Sequence, residues 1–581
     1  MSDGKRRPLN RPSDTLGGME KRSQQPGLTT PSPRKVIVIG GVAGGMSAAT
    51  RLRRLDGHAS ITVLERSGHV SYANCGLPYF VGAVIEEEEE LLLQTPERLH
   101  DRFRLDVRVD SEVVGIDRER HQVRVRSTGG GDPEVLEYDK LILSPGASPI
   151  RLNIPGAERM RVLRTVEDAQ RIVGDVAKTP RTAVVVGAGF VGLETAENLS
   201  HHGIAVTVVE AAPQVLPALD PELAVMVEEE LIRHHITVIT GASVVEVHAW
   251  GVTLSDGREV EGELVVASVG VRPDVRLAKL AGLAIGPHGG IVVDESNVTS
   301  DPDIYSVGDA VEKFDSVSEG PSLIALANVA NRHGRRVADH ICGLSARHVP
   351  SIGTAVVRVF ETVAATTGWN ERRLREAGRP YQVVRAHPMN HASYYPGAEP
   401  MSLKLLFDPE DGMILGAQAV GGGGVDKRID VLATAMSAGL PVEELANLEL
   451  AYAPPFSSAK DPVNMLGYIA ENVRFGDCDV VEPDEVQSLV EAGWTLLDVR
   501  TPAEHLSGSV PGSVSAPVDE LRGAIDHLGD GPFLVYCAVG LRGHVATMLL
   551  GELGYQARNL NGGYRTYTAF HAARRVESAL A

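Results

Sequence analysis

Two cysteines stand in settings that suit different kinds of sulfur chemistry. Cys75 lies in Ser71-Tyr-Ala-Asn74-Cys75-Gly-Leu-Pro78, a polar segment broken by glycine and proline that makes poor core material. A thiolate there can open an outside disulfide or persulfide and keep half of it as a covalent intermediate. Cys537 opens Cys537-Ala-Val-Gly-Leu-Arg542-Gly, directly after the apolar run Phe533-Leu-Val-Tyr536. Such a loop turns successive backbone N–H groups toward one centre, an anion nest that favours a thiolate or persulfide. Phosphate-binding cysteine loops place one more residue between Cys and Arg, so the tighter ring ending at Arg542 reads as a sulfur cradle. A cysteine phosphatase and an inactive recognition module are the other readings of this loop.

Something larger must position both thiols. Lys35-Val-Ile-Val-Ile39 is a buried-strand pattern that runs at once into Gly40-Gly41-Val-Ala43-Gly44-Gly45 and then a helical pattern. Strand, tight glycine turn and helix is the order a dinucleotide site requires, and Glu65 ends the next strand where a ribose hydroxyl partner belongs. The same arrangement recurs at Ala183-Val-Val-Val-Gly187-Ala-Gly189-Phe-Val-Gly192-Leu-Glu194, followed by Val206-Thr-Val-Val-Glu210. Two such units imply two dinucleotides. Ala211-Ala212-Pro213 follow Glu210 where a 2′-phosphate would need Arg or Lys, so NADH is expected over NADPH. One departure is Val42, which replaces the second glycine of the first turn.

The chain has 581 residues, enough for several cores, and a net charge of −20. Nucleic acid and anionic membrane surfaces reward the opposite charge, so neither is expected as a partner. The run Glu86–Glu90 reads as a solvated face. Four cysteines without paired spacing indicate neither a disulfide scaffold nor a metal site, and Cys342 and Cys478 carry no motif. Reduced thiols and the lack of a bilayer-length apolar run lead to an expectation of a cytoplasmic protein. Residues 1–34, rich in Arg, Pro, Ser and Gly, read as a disordered tail.

With these residues in view, the chain resembles the single-cysteine flavin disulfide reductases of the coenzyme A-disulfide reductase type, fused to a C-terminal rhodanese domain. Such fusions are known as CoA-disulfide, persulfide or polysulfide reductases. The resemblance implies an α/β chain with two Rossmann-like dinucleotide-binding domains, one inserted in the other, then an α+β dimerisation domain and a rhodanese-like α/β domain. Boundaries are set at 35–150 and 271–340 for the two parts of the FAD domain, 151–270 for the NAD(P)H domain, 341–470 for dimerisation and 471–581 for rhodanese. FAD, a nicotinamide nucleotide, coenzyme A as substrate or bound cofactor, small thiol, persulfide or disulfide substrates and a homodimer are implied with it. Gly146, Gly308, Asp309 and Ala327 resemble flavin-contacting positions. Cys75, Cys537 and Arg542 take the catalytic places, while Tyr394 or Tyr395 and Tyr452 resemble tyrosines that reach the partner's site. Arg54 resembles the basic contact to coenzyme A phosphates, Ser71 and Asn74 line the thiol pocket, and Arg51 stands where relatives can have a neutral residue. Ala43 holds the place of a histidine in peroxidase-type relatives. An NADH oxidase cycling a cysteine sulfenic acid and a redox-sensing sulfur-relay protein are the competing expectations.

Overall fold

The computed structural model describes residues 33–345 and 348–580. Residues 1–32, which hold most of the expected tail, lie outside the described residues. Alternating β-branched runs and helices build parallel sheets, as buried strands flanked by helices must. The first sheet has the order Ile304–Ser306, Lys140–Leu143, Lys35–Ile39, Ser60–Leu64, Asp106–Arg108, all parallel. Its outermost strand at one edge comes from far downstream. A second parallel sheet therefore lies within the first in chain order: Thr237–Ile239, Ala205–Val209, Thr182–Val186, Leu264–Ala267, Arg161–Val162. The chain leaves and re-enters through Ala147–Pro149 and Val271–Pro273, which pair antiparallel.

The next unit is a five-stranded antiparallel sheet, Ala355–Val359, Thr362–Gly368, Ile414–Gly421, Met401–Phe407, Gln382–Ala386, covered by helices Val425–Ala438 and Pro462–Arg474. Helix Val425–Ala438 begins after Gly424 in a left-handed conformation (φ 87°). The last unit is a parallel sheet ordered Val480–Val481, Ala557–Leu560, Phe533–Tyr536, Thr495–Asp498, Val514–Ser515.

This last unit docks through polar contacts. Arg385 pairs with Glu482 and Glu222, Asn561 donates to the Val383 carbonyl at 2.9 Å, and His387 meets the Thr566 hydroxyl at 2.8 Å. Buried Lys404 is held by Asp220 at 2.8 Å and Glu222 at 2.6 Å. Charges this deep persist because each is paired, and removing one partner strands the other. No helix among the described residues is long and apolar enough to cross a membrane.

Candidate active sites

The two glycine turns share one stereochemistry. Gly40 and Gly187 have φ 98° and 101°, and a Cβ on either would lie 2.1 or 2.5 Å from the carbonyl oxygen of Ser144 or Ser268. Only glycine tolerates that backbone and that approach. Gly45 and Gly192 let each helix close on its own turn, since a Cβ there would lie 2.0 Å from the carbonyl of Gly40 or Gly187. Glu65 accepts from the N–H of Gly41 at 2.8 Å and of Ser67 at 2.9 Å. Glu210 repeats this with Ala188 at 2.6 Å and Ala212 at 2.8 Å. Each carboxylate is thus aimed across its fingerprint before any ligand arrives.

Both turns open into one cavity of about 1080 Å³. Gly40, Ala43, Gly44, Glu65, Gly146, Gly308, Asp309 and Ala327 line it from the first unit, and Gly187, Gly189, Glu194 and Glu210 from the second. Gly41, Gly45 and Gly192 serve behind it. Space is free around Gly189 for 4 Å where a side chain would stand, and the buried Ser268 hydroxyl at the cavity wall has no protein hydrogen-bond partner. Open room at a fingerprint glycine and an unpaired buried donor fit dinucleotides lying across the two turns. The Gly308–Ala310 turn is braced by Lys313, whose buried ammonium donates to the carbonyls of Gly308 at 2.7 Å and Val311 at 2.8 Å. Burial lowers that lysine to about 8.

Cys75 opens onto the same cavity from a single 3-10 turn, Asn74–Gly76, that runs into helix Leu77–Val81 with Pro78 in its first turn. The segment is tied to the first fingerprint, because the Ser71 N–H donates to the Gly41 carbonyl at 2.8 Å. Asn74 donates to the Arg164 carbonyl at 3.1 Å, and Arg164 pairs with Asp309 at 2.7 Å. Although exposed to the cavity, Cys75 sits in a recess, so desolvation pushes its thiol up; Glu194 adds to this and Arg164 opposes it. Glu194 itself is pushed up to about 7 by burial, its carboxyl accepting from the Tyr79 hydroxyl at 3.3 Å. Arg164, Tyr79 and Lys313 carry no local motif and were not singled out from the sequence.

The remaining expected substrate residues lie outside this cavity. Arg51 is committed to Asp339 at 2.8 Å, whereas Arg54, one turn further along helix Ala43–Leu55, is exposed and forms no ion pair among the described residues. Tyr394 is 74% exposed and bonds the half-exposed Tyr452 hydroxyl to hydroxyl at 2.9 Å. Tyr395 and Phe456 are exposed beside them in sequence, and Tyr395 meets His391 edge to face. Glu230, His234 and Glu361 are the group of metal-ligating side chains that converges among the described residues, but Arg233 already pairs with Glu230 and His234 binds Glu361 at 2.8 Å.

Cys537 is fully buried at the end of strand Phe533–Tyr536, its sulfur accepting from the Gly540 N–H at 3.2 Å. The loop is held from outside: the Tyr564 N–H donates to the Cys537 carbonyl at 2.8 Å, and Asn559 donates to the Gly540 carbonyl at 3.2 Å. A Cβ on Gly563 would lie 2.5 Å from that Cys537 carbonyl, which explains the glycine pair after Asn561. Asp498 is a buried hub that accepts from Arg500, the Tyr536 hydroxyl and His505, bonds that tie the domain together. Arg542 makes a two-pronged ion pair with Glu504 at 2.6 and 2.8 Å.

Two nucleotide units sharing a cavity with a lone thiol, followed by a sulfur-cradle domain, define a flavoprotein-type oxidoreductase with an appended sulfur-handling module. The chain belongs to the pyridine nucleotide-disulphide oxidoreductase family, whose model matches residues 34–334. The dimerisation domain of that family matches residues 354–462, and a rhodanese-like domain matches 482–570. Coenzyme A disulfide reductase of Staphylococcus epidermidis is 34% identical over 439 residues, 75% of this chain and all of that protein. The reduced CoADR-RHD of Bacillus anthracis superposes with a TM-score of 0.92 at 45% identity, covering 93% of this chain and 99% of the other. A NAD-dependent persulfide reductase from A. fulgidus gives 0.86 at 37% identity, covering 92% and 100%.

Proposed function

We propose that the protein is a homodimeric, NADH-dependent flavoenzyme that reduces coenzyme A persulfide, polysulfide or coenzyme A disulfide at Cys75, while Cys537 carries sulfane sulfur. The observation that carries this reading is the placement of Cys75, without a second cysteine beside it, at the wall of the cavity both fingerprints share. A lone thiol must form its disulfide with an outside sulfur. Cys75 thiolate attacks the substrate S–S bond, forming a mixed disulfide and expelling a thiolate or hydrosulfide that keeps the bonding pair. FAD and NADH, when bound, supply the electron pair that cleaves the mixed disulfide.

Around that step the chain's own groups hold and orient. Gly40, Ala43, Gly44, Glu65 and the Gly308–Asp309 turn would hold FAD, and Gly187, Gly189, Glu194 and Glu210 the nicotinamide nucleotide. Glu210, fixed by two N–H donors and followed by Ala211, accepts a ribose 2′-hydroxyl and repels a 2′-phosphate. Glu194 and Tyr79 form a proton-holding pair in the same cavity as Cys75. Exposed Arg54 offers a cation to coenzyme A phosphates, and the exposed Tyr394–Tyr452 pair lies in the domain that bears the dimerisation match. The deciding measurement is NADH turnover on one preparation with coenzyme A persulfide, coenzyme A disulfide, polysulfide and oxygen in turn. Turnover that needs a sulfur substrate supports the reading, and equal turnover with oxygen alone overturns it.

A further inference from the structure

Where the last unit docks, helix Pro221–Arg233 of the second nucleotide unit packs on helix Gly563–Leu580 of the rhodanese-like domain, and the two helices and strand Met401–Phe407 border a cleft of about 310 Å³. Neither Cys75 nor Cys537 lines it. Its volume falls at the lower end of the ~300–1,000 Å³ range of ligand pockets, which suits a small molecule.

Most charged groups of the cleft are already paired. Arg385 binds Glu222 at 3.0 Å and also Glu482, while Lys404 is held by Glu222 at 2.6 Å. His387 is neutral, because burial and the Arg565 cation beside it push the ring down to about 3. Its two nitrogens meet the hydroxyls of Ser402 at 2.9 Å and Thr566 at 2.8 Å. Two groups remain. The Arg565 guanidinium and the Glu229 carboxylate line the cleft from the two packed helices, and neither side chain forms a hydrogen bond or ion pair among the described residues. They still act on each other: burial lowers Arg565, and the attraction of Glu229 opposes the shift. An arginine drawn partly out of water without a partner has lost hydration that the fold does not replace.

The wall around these two charges is apolar, with Val225 and Met226 on one helix and Ala569 and Ala572 on the other. A simple anion entering the cleft would be repelled by Glu229, and a simple cation by Arg565. A molecule that carries both charges satisfies both groups.

We infer that this cleft binds a free α-amino acid with an apolar side chain, its carboxylate on Arg565, its ammonium on Glu229 and its side chain against Val225 and Met226. The site lies beyond the sulfur chemistry proposed above and does not depend on it. Its position does give it a route to the second thiol. The Arg565 N–H donates to the Ala538 carbonyl at 3.0 Å, and the neighbouring Tyr564 N–H to the Cys537 carbonyl at 2.8 Å. The residue that takes the carboxylate therefore also anchors the Cys537 loop, so a bound amino acid ties the nucleotide unit's helix to the helix that holds this loop.

The test titrates the full-length holoenzyme with L-leucine, with isocaproate, which lacks the ammonium, and with isoamylamine, which lacks the carboxylate, each followed by ligand-observed NMR. L-leucine is expected to bind at least about tenfold tighter than either analogue, the effect of one charged hydrogen bond. Arg565→Gln should remove the preference over isoamylamine, and Glu229→Gln the preference over isocaproate. No binding of L-leucine to wild type, or either analogue binding as tightly as L-leucine, overturns the proposal. Should Arg565→Gln disturb docking of the last unit, Glu229→Gln decides alone, because Glu229 is exposed on the other helix. A preference over isocaproate that survives Glu229→Gln unchanged also overturns it.

Discussion

Cys75 lies within a 3-10 turn and Cys537 at the head of a loop after a strand, and their surroundings differ in room, burial and charge. Cys75 faces a cavity of about 1080 Å³ and is pushed up by burial and by Glu194. Cys537 is fully buried beneath a short loop whose Gly540 N–H points at its sulfur and whose arginine pairs with Glu504. The first setting has room for two large cofactors and a reacting partner, and carboxyl groups able to hold protons. The second is closed, its sulfur buried and met by a backbone N–H. On the proposed reading, reduction falls to the roomy site at Cys75 and sulfur carriage to the closed one at Cys537.

The most severe way to break this division is Cys75→Ser. Reduction of every disulfide and persulfide should fall by about a thousandfold or more, as when a nucleophile is removed. FAD content and bleaching by NADH should persist, since neither fingerprint uses the thiol. Near-native turnover on a persulfide would move the chemistry away from Cys75. The mirror experiment is Cys537→Ser, which should abolish sulfur transfer from any sulfane donor yet leave coenzyme A disulfide reduction within about twofold, as for independent sites. If both activities fall together, the two sites are interlocked and the division fails.

The two regions also differ in how far they could be read from sequence. Both glycine turns were legible, because backbone approach to a carbonyl demands glycine at Gly40 and Gly187 regardless of the rest of the fold. The antiparallel sheet was only half legible. The apolar runs at Met401–Phe407 and Ile414–Gly421 read as strands, whereas Thr362–Gly368 is written in Ala and Thr with little apolar signal. Around Cys75 the partners that set its chemistry come from distant segments, Arg164 with Asp309 and Tyr79 with Glu194, and no local pattern announces them. Glu504 was within reach, because Thr501-Pro-Ala-Glu504 is a capping-box pattern, but its pairing with Arg542 depends on the sheet that joins them.

Smaller changes sharpen the substrate side of the comparison. Arg54→Ala should lower kcat/KM for coenzyme A-linked substrates by about ten- to a hundredfold, the worth of one charged hydrogen bond, and spare inorganic polysulfide. Equal losses on both would assign Arg54 to the fold. Glu210→Ala should narrow the preference for NADH over NADPH by about tenfold, since the carboxylate both accepts from a hydroxyl and repels a phosphate. A wild-type kcat/KM that favours NADPH defeats that reading.

The smallest effect is expected from Glu194→Gln, and it tests what separates the Cys75 site from the cradle. Burial lifts Glu194 from 4.5 to about 7, so above that pH a buried carboxylate repels the Cys75 thiolate, whereas below it the carboxyl is neutral. Folding gains from this raised value only at low pH: its contribution is complete below 4.5 and lost as pH rises to about 7. Glutamine keeps the size and the acceptor for Tyr79 but never carries the charge. The pH profile of Cys75 alkylation, followed by peptide mass, should therefore move to lower pH in the variant, while the Cys537 profile in the same samples stays in place as an internal control. An unmoved Cys75 profile would mean that Glu194 does not reach the thiol electrostatically. A shift of both profiles together would mean a global change in the protein, and the contrast between the two thiols would then owe nothing to this carboxyl.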